Sequence, residues 1–167
     1  MTEAKPINHG YIFITNQAQT MAEKTNIGKI FDVESIIIPL GGKINLVDAE
    51  SFNKTNFVII NGQGNFEINL INGLDKSFKR LLLIQALGHY VLHGLSGEKV
   101  CHISSASKSE VSQEGLWFAL ALLIPDETFL NIYENFDNEK LSNLFRVPEF
   151  VVEAKRNIIN KVYFNKE

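Results

Sequence analysis

The chain holds a single cysteine, four prolines and no apolar run long enough to cross a bilayer, and each scarcity removes a class of protein. With Cys101 alone an internal disulfide is excluded, which fits a reducing compartment. The longest apolar stretches, Leu81 to Ile84 and Leu116 to Ile124, fall far short of the roughly 20 residues that span a membrane. Near the N-terminus only Tyr11 to Ile14 is continuously apolar, too short for the core of a signal peptide. Charge of one sign is also missing: 16 Lys and Arg against 19 Asp and Glu leave a net charge of −3. That balance provides no general attraction to nucleic acid or to an anionic lipid surface. A soluble cytoplasmic protein is expected.

What is present is ordinary globular material, 167 residues with 45% hydrophobic and 21% charged side chains. This suffices for one domain with its own core and no structural metal. The expected organisation is a single domain over 1–167, divided into an N-terminal extension or helix (1–30), a core (31–137) and a C-terminal helical pair (138–167).

Tyr11 to Ile14 fits either a short edge strand or the staple before a helix. From Asn16 to Thr25 good helix formers follow a capping Asn, which predicts a short helix. Asp32 can cap a second one, terminated by Gly41-Gly42, with Pro39 in its last turn or bending it. The period then becomes extended. Lys43 to Val47 and Phe66 to Leu70 alternate, Asn56 to Ile60 is rich in branched residues, and Asn61-Gly62-Gln63-Gly64-Asn65 signals a hairpin. A small three-stranded antiparallel meander is predicted. Asp75 is placed to cap the helix that follows.

That helix, 77–94, carries the chemistry-bearing stretch. Leu81, Ile84, Leu87 and Val91 recur at helical spacing and Gly94 ends the run. Gln85, His89 and His93 are four apart and drift only about 40° per step, so they share one side. Two imidazoles one turn apart, with a Glu after the first, are how a His-Glu-x-x-His helix grips zinc and activates water. Here Gln85 stands at the first His and Ala86 at the Glu. After a serine-rich surface loop at Ser104 to Ser109, a second helix is expected over 111–124, buried on most sides in its apolar second half and ended by Pro125. Further helices are expected over Asp126 to Tyr133, over Asn138 to Phe145, and from Pro148 to about Val162.

Three short strands, then Phe78-Lys79-Arg80 leading into Leu87-Gly88-His89-Tyr90-Val91-Leu92-His93, then Phe118-Ala119 and Leu122-Leu123-Ile124-Pro125: this order resembles the ImmA/IrrE-type zinc metallopeptidases. The closing Leu144 to Glu149 looks like the helix-turn-helix-like pair that ends that domain, and the similarity covers roughly residues 30 to 160. The resemblance implies an α+β, zincin-like (gluzincin-type) minimal peptidase fold. Carried over position by position, it puts the first zinc ligand on Gln85, the general base on Ala86, the second ligand on His89 and the third on Ser112. Only His89 is kept. Glu114, two residues beyond Ser112, points about 200° away from it on a helix.

A missing general base typically costs about 10²- to 10⁴-fold in rate, and changing even outer-shell partners costs about 10- to 100-fold in metal affinity. QALGH in place of His-Glu-x-x-His therefore implies a pseudo-metallopeptidase with no catalytic residue and without the family's zinc. His89 and His93 are the weak metal candidates that remain. They could be completed by His102, Cys101 or Glu114 in a rearranged active peptidase; otherwise His89 is a hydrogen-bonded relic and His93 packs at the helix end. Cys101-His102 lacks anything to orient the imidazole as a base. Trp117 and Phe118 read as core aromatics. Relatives of this kind commonly sit beside, and cleave, Xre-type helix-turn-helix repressors in mobile elements such as phage and in stress regulation. The expected role is thus protein binding, with such a repressor as partner. A DNA-binding regulator using Arg146, Lys155, Arg156 and Lys161 is the other alternative, offset by Glu149 and Glu153, so nucleic acid is not the expected partner.

Overall fold

The structure, a computed structural model, describes residues 7–25, 32–52, 57–94, 100–101 and 110–164. The serine-rich loop at 104–109 and His102 lie outside the described residues, as do the side chains of Cys101 and Ser112.

A helix, α1 (Ile7–Thr25), absorbs the ambiguous Tyr11 to Ile14 run, with Tyr11, Ile14 and Ala18 buried along one stripe. A short helix, α2 (Glu34–Ile37), precedes β1 (Gly42–Val47); it stops before Pro39, and the turn through Gly41 completes the connection. At Gly41 the backbone is left-handed (φ 89°), and a Cβ there would meet the Gly64 carbonyl oxygen at 1.8 Å. Only glycine lets the turn cross the hairpin this closely.

After α3 (Ala49–Phe52) come β2 (Val58–Gly62) and β3 (Asn65–Ile71), joined by the expected hairpin. The chain continues through α4 (Lys76–His93), β4 (Val100–Cys101), α5 (Glu110–Leu123), α6 (Asp126–Ile132), α7 (Asn138–Phe145) and α8 (Glu149–Tyr163). Asp75 caps α4 as anticipated, accepting hydrogen bonds from the Ser77 and Phe78 amides. Pro148 is the N-cap of α8 instead of its first helical residue.

The fold class is α+β, as the sequence indicates, but the sheet is not a three-stranded antiparallel meander. It has four strands in the order β1-β3-β2-β4, with β1 parallel to β3 and the other pairs antiparallel. Strand directions match those of a meander; the order differs. A connection that contains α3 carries the chain from β1 past the place that β3 later takes and into β2, and the hairpin then returns β3 between them, so β1 and β3 are parallel neighbours that do not follow one another in the chain. Phe66, Ile68 and Leu70 of β3 are fully buried on the helical side. On the other face Asn45 Nδ2 donates to Glu67 Oε2 and to Asn69 Oδ1, both at 3.0 Å.

A polar cluster ties α1, α6 and α8 together. Lys155 is fully buried; its ammonium donates to Tyr11 Oη at 2.8 Å and pairs with Asp126. Asp126 also accepts from the Tyr11 and Tyr163 hydroxyls, each at 2.7 Å. Burial pushes the Asp126 carboxyl up, but Lys155 and the two phenols more than offset it and hold it below the usual carboxylate range. Burial and the neighbouring carboxylate push the Tyr163 phenol up to about 12. Arg156, next along α8, donates from Nε to Asn138 Oδ1 and from Nη1 to the Tyr133 carbonyl, both at 2.7 Å. Two of the four cations that could have faced DNA are therefore engaged inside the protein.

Candidate functional site

The site is the seam between α4 and α5, two helices that meet at glycines. A Cβ at Gly88 would stand 2.8–2.9 Å from Phe118, and one at Gly115 would stand 3.1 Å from the His89 ring. Removing both Cβ atoms lets Phe118 seat on α4 and His89 seat on α5. Phe118 is fully buried and Trp117 nearly so, edge-on to Tyr11 at 6.0 Å between centroids, so both aromatics are core as expected. Tyr90 anchors α4 to the sheet, stacking on Phe66 at 3.9 Å while its hydroxyl accepts the Gly64 amide at 2.7 Å.

Along α4, Gln85 is half-buried, Ala86 fully buried and His89 only 4% exposed. Burial, reinforced by the neighbouring His93, pushes the His89 imidazolium down to about 4. At neutral pH His89 is an uncharged ring. His93 lies one turn on, 6.0 Å between ring centroids, and its Nε2 meets Glu114 Oε2 at 2.7 Å.

That contact corrects the sequence argument about Glu114. Its carboxylate reaches α4 and meets His93, so Glu114 lies at the seam whatever its angular distance from Ser112. His93 is accordingly a partner of Glu114, beyond the helix-end packing role assigned to it. No pattern within either helix alone signals this pair.

The donor chemistry at the family positions does not fit a three-ligand zinc centre. At the positions to which the family resemblance points, Gln85 offers at best a hard, neutral amide oxygen, better suited to Ca²⁺ or Mg²⁺, and Ala86 a buried methyl with no proton to exchange. Among the described residues, no three His, Cys, Asp or Glu side chains converge to hold a metal ion.

A small mixed sheet packed against a two-helix seam with His89 at its centre defines a metallopeptidase-like domain. The family model for the IrrE N-terminal-like domain, a peptidase family, matches residues 47–156, well over half of the chain, and the chain belongs to that family. No curated protein and no solved structure matches it. The match excludes α1, which is packed on α5 at the back of the seam. No single described helix is long and apolar enough to cross a membrane.

Proposed function

We propose that this protein is a non-catalytic member of its metallopeptidase family that works by holding another protein in the former catalytic cleft. The observation that carries the reading is the contrast along one helix face. The seam is closely packed at Gly88, Phe118, Tyr90 and Gly115, whereas Gln85 and Ala86 are the residues that the family resemblance aligns with the ligand and the base. A change confined to the reacting groups removes turnover and leaves the recognition walls. The partner class proposed is an Xre-type helix-turn-helix repressor, because that is what the family resemblance implies for the groove. The setting would be a mobile element or a stress response, and the compartment the cytoplasm. The test is calorimetric titration against candidate repressors, with the products examined for cleavage. Binding without cleavage supports the reading; absence of binding to any of them removes it.

The His93–Glu114 contact favours a second reading, an active metallopeptidase whose zinc site has been rebuilt on His89, His93 and one of His102 or Glu114; His93 and Glu114 already meet at 2.7 Å, and metal binding would have to draw the third group in, because no three described side chains converge. Two imidazoles and a carboxylate form a reasonable donor set. Near-stoichiometric zinc in protein purified without chelator, lost in His89→Ala, would select this reading over the first.

A further inference from the structure

At the opposite end of α4 from His93, a cavity of about 600 Å³ opens between α2, the first turns of α4 and the α7–α8 turn. Its size is that of a small-molecule site. Val33 and Leu83 provide its apolar surface, and Lys76, Lys79, Arg80 and Arg146 surround it. Four cations around one opening are notable on a chain whose net charge is −3.

Two carboxylates, Asp32 and Glu34, share the opening, so the cations outnumber the acids there by two. Glu34 pairs with Lys79, and Asp32 Oδ1 accepts the Glu34 amide at 3.1 Å, closing the start of α2. Arg80 holds the end of α7, donating from Nη1 to the Phe145 carbonyl at 3.3 Å and to the Arg146 carbonyl at 3.5 Å. Burial, and the like charge of Arg146, push the Arg80 guanidinium down. Arg146 is itself forced into place. It is the one non-glycine with positive φ among the described residues (φ 55°, ψ 49°), at the C-cap of α7, where glycine or asparagine is the usual solution. A second arginine placed beside a first in a left-handed turn is unfavourable twice, through repulsion and through backbone conformation.

We propose that this cavity is a binding site for a small polyanion bearing phosphate or carboxylate groups, held between Arg80 and Arg146 with Lys76 at the rim. Guanidinium groups match both oxyanions with paired hydrogen bonds, and an anion between the two would relieve their repulsion. The site is separate from the cleft, since His89 lies roughly 14 Å further along α4 than Arg80 at a helical rise of about 1.5 Å per residue.

The experiment is calorimetric titration at low ionic strength with pyrophosphate and with citrate, which separate the phosphate source from the carboxylate source. Wild-type protein is expected to bind at least one of them, with affinity that falls as salt rises. Arg146→Gly keeps the left-handed turn and the carbonyl that Arg80 uses, so it is expected to fold with unchanged or higher Tm while binding weakens about tenfold or more. Lys161→Gln, on an exposed part of α8, should bind as wild type does. Absence of binding to both anions, or equal affinity in Arg146→Gly, overturns the proposal. So does binding of duplex DNA with the same Arg146 dependence but without binding of either small anion, which would make the patch a contact for nucleic acid.

Discussion

Acidification provides a sharp test of His89, because an uncharged ring sealed between two helices must cost stability once it is protonated. The imidazole is 4% exposed and pushed from 6.5 to about 4 by burial and by His93. In the unfolded chain it takes up a proton near pH 6.5; in the folded protein it does so only near pH 4. Between those values the unfolded state binds more protons, so stability contributed by the neutral ring is fully present above about pH 6.5 and is lost as pH falls toward about 4. At about 1.4 kcal/mol per pH unit the total is roughly 3 kcal/mol. Urea unfolding across that range, in wild type and in His89→Phe, isolates the effect, because carboxylate losses are common to both. The wild type should lose roughly 3 kcal/mol more than the variant, identically with and without EDTA. Equal acid sensitivity in the two proteins would falsify the buried neutral ring, and a wild type weakened by EDTA at neutral pH would show that His89 holds a metal instead.

Other substitutions probe the seam and the polar cluster. Gly88→Ala puts a methyl within 2.9 Å of Phe118 and should destabilise by about 1–3 kcal/mol in urea unfolding. Asp126→Ala strands a fully buried ammonium and should cost about 3–5 kcal/mol, with much of the loss recovered in the Asp126→Ala, Lys155→Met double variant. Arg156→Lys forfeits the fork that grips Asn138 and the Tyr133 carbonyl, lowering stability by about 1–2 kcal/mol.

What could be read from the sequence was local. Asp75 and the apolar spacing of Leu81, Ile84 and Leu87 identify α4 because cap and core stripe act within one helix. The strands were equally legible, since alternation and the Asn61–Asn65 turn are short-range signals. The partner of β1 was not, because it depends on where the connection through α3 crosses the sheet. In α1 the exposed Ile12 and Phe13 sit between the buried Tyr11 and Ile14 and mask the helical period. Lys155 carries a conflicting pair of signals. It continues the stripe of Val151, Val152, Ile158 and Ile159, so the spacing placed it inside while its charge suggested the surface. The His93–Glu114 pair had no such signal, because it depends on how closely two glycines let α4 and α5 approach.

On the function proposed here, the seam keeps a metallopeptidase's walls around a donor set that does not hold zinc. Elemental analysis of protein purified without chelator tests it most directly. Zinc far below stoichiometric, unchanged by His89→Ala, is the predicted result; close to one ion per chain, removed by that substitution, would contradict it.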